Sequence, residues 1–156
     1  MQMKATLTLI VLLLPVMFSV GCASVVMLPK TAAAAPFDEQ KEGKTGWSSY
    51  MEKASFKEVS EDEIYDAAKS GLAHAKFQLI KANKKEGVVI GEHGITWHDW
   101  NVIAGVYFRK SQAGFDVLVL VEGSKDIGIA GDQTGGAWTG TILNHMRDFL
   151  DKEPQK

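Results

Sequence analysis

Apolar positions divide the chain into three stretches. Ala5 to Phe18 is almost unbroken apolar sequence. From Pro29 to Lys44 no apolar period is sustained: an alanine run lies between Pro29 and Pro36, and the polar stretch Asp38 to Lys44 follows. From about residue 54 onward, apolar residues recur at steps of two or of three and four, the periods of strands and helices.

The clearest helix opens at Ser60-Glu61-Asp62-Glu63. Ser60 is placed to cap free N–H groups and Glu63 to complete a capping box, with Val59 and Ile64 flanking it as a hydrophobic staple. The acidic first turn suits the positive end of the helix dipole. Ile64, Ala68, Leu72 and Ala75 form one stripe, so the helix is predicted over about 61–76. Ala67 and Gly71 are small enough to let it lie close to a sheet. Weak alternation over Ala54 to Val59 predicts an edge strand before it.

After the helix, Phe77 to Asn83 reads as a strand, Lys84 to Gly87 as a turn and Val88 to Glu92 as the returning strand. A long strand is predicted from about Thr96 to Lys110, with Trp100, Val102, Ala104, Val106 and Phe108 on one face. Ser111 to Gly114 is a hairpin loop, and Phe115 to Glu122 follows with Phe115, Val117, Val119 and Val121 on one face. The glycine-rich Gly123 to Gly140 leads to a last helix marked by Ile142, Leu143, Met146, Phe149 and Leu150. The predicted fold class is α+β, in the order β-α-β-β-β-β-α. It is a mostly antiparallel sheet of four to five strands with two helices packed on one face.

Such a sheet should be polar on its other face. Here Ile103, Tyr107, Leu118 and Leu120 point that way instead. Two readings are open. The four form an apolar face that docks a partner or a second copy, or a tail, loop or strand of the chain itself covers them.

Lys4 before the apolar run and the small residues Ser19 and Gly21 after it describe an export signal. The run is shorter than the about 20 residues a transmembrane helix needs. Cys22 is the chain's one cysteine and has no intramolecular partner. Ser19-Val20-Gly21-Cys22 resembles the lipobox of bacterial lipoproteins, with Ser19 where Leu is usual. The resemblance implies that the Cys22 sulfur receives a diacylglycerol, that the leader is cut before Cys22, and that the new amino group is acylated with a chain such as palmitate. Ala23, in place of an inner-membrane-retaining Asp, implies the outer membrane facing the periplasm if the source is Gram-negative. Ala33-Ala34-Ala35 is a competing site for ordinary signal cleavage.

This gives 1–21 as lipoprotein signal peptide, 22–48 as lipidated N-terminus and flexible linker, and 49–152 as a single globular domain. A flexible linker of about 26 residues spans roughly 30 Å. The layout, with Gly131-Asp132 ahead of the Ile142 helix, is similar to small α+β modules of bacterial envelope lipoproteins.

Lys4 is the leader's one charge, so removing the leader takes the net charge from −2 to −3. A near-neutral domain offers no electrostatic footprint for nucleic acid and no polybasic membrane patch. Among candidate chemical motifs, Trp97-His98-Asp99-Trp100 places His and Asp side by side, but neighbours in a strand point to opposite faces. His93 and His98, with His74 or Asp99 as third ligand, make a weakly spaced metal site; His145 is expected to be solvated. Gly131 and Gly136 have P-loop spacing, yet Ala137-Trp138 stands where Lys and Ser/Thr are required.

The expectation is therefore a lipid-anchored cell-envelope protein with a non-enzymatic interaction or accessory role and no cofactor. It is held to the membrane through Cys22, with an envelope protein or a second copy as partner and no role for nucleic acid. The alternatives are a small apolar-ligand binder lined by Trp97, Trp100 and Trp138, and a metal-dependent hydrolase using His93, His98 and Asp99.

Overall fold

The structure, a computed structural model, describes residues 24–46, 49–94, 101–123 and 135–152. Its strands are β1 (Gly43–Lys44), β2 (Ser49–Lys57), β3 (Gln78–Asn83), β4 (Val88–His93), β5 (Val102–Lys110) and β6 (Gly114–Glu122). Helix α1 (Glu61–His74) lies between β2 and β3, and α2 (Gly135–Lys152) follows β6. The strands form one antiparallel sheet in the order β1-β2-β6-β5-β4-β3. There are thus six strands rather than four to five, and the class and helix placement are as expected. The addition is the two-residue β1, which makes β2 an interior strand.

Helix α1 starts where its sequence says it should. Ser60 Oγ accepts from the Glu63 N–H at 3.3 Å, and Glu63 accepts from the Ser60 N–H at 2.6 Å. That second bond holds the Glu63 carboxyl below its ordinary pKa. Ile64, Ala67, Ala68, Gly71 and Leu72 are buried. Gly71 faces the other helix: a Cβ there would sit 3.0 Å from the Ile142 carbonyl oxygen and from Met146 Cγ. The small residue permits close helix–helix contact rather than contact with the sheet. Helix α2 begins at Gly135, ahead of the predicted start; Trp138 of its first turn joins the core and Thr139 beside it is buried.

Strand alternation sorts the rest. Val89, Val102, Ala104, Val106, Phe108, Val117, Val119 and Val121 join both helices in the main core. Val88, Ile90, Ile103, Tyr107, Leu118 and Leu120 project to the other side, with Met51 of β2.

That second face is covered by the chain itself. Residues 24–46, read from sequence as part of a flexible linker, lie across it and form a strap. Leu28, Ala32 and Phe37 are buried among the second-face residues. The Tyr107 hydroxyl donates to the Pro29 carbonyl at 2.9 Å, and burial pushes that hydroxyl's pKa well up. The Ala32 N–H donates to the Glu86 carbonyl at 2.9 Å. Arg109 stacks 4.4 Å over the Phe37 ring and donates to Asp38 at 2.9 Å, which holds the Asp38 carboxyl below its ordinary pKa. Lys53 donates to the Glu39 carbonyl, and β1 then pairs with β2. Ile103, Tyr107 and Leu118 have no exposed surface and Leu120 has 8%. The open docking face is corrected accordingly: the four residues point as predicted, but the chain supplies their cover.

Candidate functional site

The described residues offer three arrangements with chemical content, one at each end of the sheet and one between the helices. At the end where β4 finishes, alternation puts Val89, Gly91 and His93 toward the helices. A Cβ on Gly91 would lie 2.8 Å from Phe77 Cβ and 3.2 Å from the Gln78 carbonyl oxygen, so the glycine makes room for Phe77 beside the strand. Phe77, His93 and Trp138 of α2 then meet as an aromatic corner. Their centroids are 5.2 Å apart for Phe77–Trp138, 4.9 Å for His93–Trp138 and 5.7 Å for Phe77–His93.

The polar atoms of this corner are unequally served. His93 Nδ1 lies 3.0 Å from the Gly94 carbonyl. A carbonyl only accepts, so Nδ1 carries the hydrogen of that bond. Trp138 is 6% exposed, and its indole N–H is buried with no hydrogen-bond partner among the described residues. A buried donor left unpaired costs about 1–3 kcal/mol, and native folds hold few of them. The corner therefore joins a buried indole N–H, a histidine and aromatic faces in mutual contact. Among the described residues it brings together no nucleophile and base.

Near the same end, on the strap face, Ser49 Oγ donates to Glu122 at 2.6 Å. Burial raises the Glu122 pKa, and the Ser49 bond only partly offsets that.

Between the helices, His74 and His145 stack with centroids 4.1 Å apart at 11°. His145 Nε2 lies 2.9 Å from Ser70 Oγ. Burial first, and His74 second, lower the His145 pKa. His145 is thus half-buried and partnered rather than solvated as expected. The contact joins α1 to α2.

At the opposite end, a cleft of about 710 Å³ opens beneath the β2–α1, β3–β4 and β5–β6 connections and the strap. Phe108, Phe115 and Val59 line its apolar side, and Lys85 and Lys110 stand among its polar lining. Lys84 and Arg109, also in its wall, are ion-paired to Asp62 and Asp38. Each turn was legible in the sequence. Their convergence with residues 31–33 was not.

Of the residues singled out from sequence, Trp138 and His93 meet in the aromatic corner, and His74 pairs with His145 instead of joining His93. Cys22, Trp97, His98, Asp99 and Trp100 lie outside the described residues. Among the described residues no cluster of three His, Cys, Asp or Glu is placed to hold a metal ion. Phe77 was missed as a site residue; it directly precedes β3, and its approach to Gly91 of β4 has no signal in local spacing.

No protein-family model matches the chain, and no curated protein matches it. Solved structures resemble it at low similarity. Protein CV1439 from Chromobacterium violaceum is 9% identical, with 68% of this chain and 99% of that one covered and a TM-score of 0.48. The di-domain ARO/CYC BexL from the BE-7585A biosynthetic pathway is 7% identical, with 70% and 52% covered and a TM-score of 0.43. Ara h 8.0201 is 10% identical, with 66% and 95% covered and a TM-score of 0.40. Likeness at this level assigns no residue and no ligand to this chain.

Proposed function

We propose that the chain is a lipid-anchored cell-envelope protein whose domain has a non-enzymatic, accessory role. The leader and the Ser19-Val20-Gly21-Cys22 motif carry the anchoring part. The strap is the structural observation that supports it. Cleavage after Ala35 would remove Leu28 and Ala32 from the second core and strip cover from Tyr107 and Ile103. A cut before Cys22 leaves the strap whole. Metabolic labelling with radioactive palmitate, together with mass spectrometry of the mature N-terminus, tests the reading. The expected result is label on the wild type and none on Cys22→Ser. An unlabelled wild type, or a mature start downstream of Cys22, would refute it.

A second reading is that the domain holds a small apolar ligand. The indole N–H of Trp138, beside His93 and Phe77 and without a hydrogen-bond partner among the described residues, favours it. Native mass spectrometry of the gently purified protein should then show a co-purifying small molecule whose occupancy falls in Trp138→Phe. A clean apoprotein mass would count against this reading.

A further inference from the structure

The strap changes what an anchor at Cys22 would do. The large hydrophobic residues exposed among the described residues are Val26 at 86%, Met27 at 55%, Leu79 at 45% and Ile80 at 46%. Single exposed apolar side chains are ordinary, but Val26 and Met27 are neighbours on one turn. Val26 and Met27 stand on the first turn of the strap. Leu79 and Ile80 lie on β3, the edge strand, where a register shift interrupts the pairing with β4 between Leu79 and Lys81. The strap meets that strand where Lys81 Nζ donates to the Lys30 carbonyl at 2.7 Å.

The turn is held in one orientation. Ser24 caps it, accepting from the Val26 N–H on its side chain and from the Met27 N–H on its carbonyl. The Leu28 N–H closes it onto the Val25 carbonyl. Val25 and Leu28 pack inward against the second core, which leaves Val26 and Met27 directed outward. The chain outside the structure ends right here: Cys22 is two residues before Ser24, so their Cα atoms are at most about 7 Å apart. An acyl chain on Cys22 would enter lipid beside this turn, with no span of free linker between.

We propose that Val26 and Met27 insert into the lipid surface next to the acylated Cys22, docking the domain on the membrane through the strap rather than suspending it on a leash. The proposal rests on the anchoring reading. Apolar side chains at this position would sit in the headgroup–acyl boundary, about 5–10 Å deep as interfacial segments do.

The test uses the full chain, processed and lipidated in cells, then reconstituted in vesicles of phosphatidylethanolamine and phosphatidylglycerol. Acylation occupies the Cys22 sulfur, so Val26→Cys, Met27→Cys and, as control, Asp148→Cys on the outer side of α2 each carry the one free thiol. Each is labelled with a nitrobenzoxadiazole probe and titrated with spin-labelled lipid. The expected result is blue-shifted emission at positions 26 and 27, with quenching several-fold stronger than at 148. Emission as aqueous as the control's on vesicle-bound protein overturns the docking while leaving the anchor standing. A blue shift without quenching by lipid means that another protein surface covers the turn, and it also overturns the proposal. Protein that fails to fractionate with membranes overturns the anchoring reading and the docking together.

Discussion

Replacing Leu28 by alanine separates a packed strap from a free tether. Leu28 is 4% exposed and packs with residues of the second core. The three carbons removed are worth about 0.8 kcal/mol each, or about 2.4 kcal/mol together. A residual cavity adds to that, and leucine-to-alanine changes in cores span about 2–5 kcal/mol. Leu28 ends a short surface turn that is able to collapse inward, so the expected loss is at the low end, about 2–3 kcal/mol. Val26→Ala, at a position 86% exposed, should change stability by less than about 0.5 kcal/mol. Urea unfolding of the mature chain carrying Cys22→Ser, which needs no detergent, measures both. Native-state hydrogen exchange at the Ala32 amide, bonded to the Glu86 carbonyl, reports strap opening directly and should accelerate in Leu28→Ala. If Leu28→Ala is as neutral as Val26→Ala and the Ala32 amide exchanges freely in the wild type, residues 24–46 are a tether and the account of the second face fails.

Three further outcomes follow from particular contacts. Tyr107→Phe leaves the Pro29 carbonyl without its donor and should cost about 0.5–1.5 kcal/mol in the same urea assay, with faster exchange confined to the strap; an unchanged midpoint would remove this bond from the account. Burial raises the folded-state pKa of Glu122, so its contribution is fully present below the unfolded value and is lost as pH rises through the folded one. Thermal melts should therefore show Glu122→Gln more stable than the wild type at pH 7, with the difference closing toward pH 4, and a pH-independent difference would refute the assignment. His145 is shifted the other way: its unfolded form binds protons first, so stability present above the ordinary histidine value of 6.5 is lost as pH falls through that value toward the lower folded one. His145→Gln should flatten that part of the pH–stability curve, and parallel curves for the two proteins would exclude the helix-pair contact as its source.

Much of the fold was legible because its elements are specified locally. The capping box at Ser60 and Glu63 involves residues three apart, and the turns at Lys84 to Gly87 and Ser111 to Gly114 are similarly short. Alternation in β5 and β6 correctly sorted Val106 and Val119 to one face and Tyr107 and Leu118 to the other. The aromatic corner was legible only in part. Trp138 and His93 drew attention as residue types, but Phe77, His93 and Trp138 come from three separate elements, and no local spacing signals their meeting.

The sequence by itself determined the leader-like apolar run, the helix start, the strand periods and the two-sided apolar character of the sheet, because each is written in residues only a few positions apart. Only the tertiary structure decided that residues 24–46 belong to the body and that the second face is closed by its own chain. The physical reason is that Leu28, Ala32 and Phe37 follow no repeating period. Their burial depends on Tyr107, Ile103 and Leu118, far along the chain, and an aperiodic segment becomes part of a core only when the surface complementary to it has already been assembled.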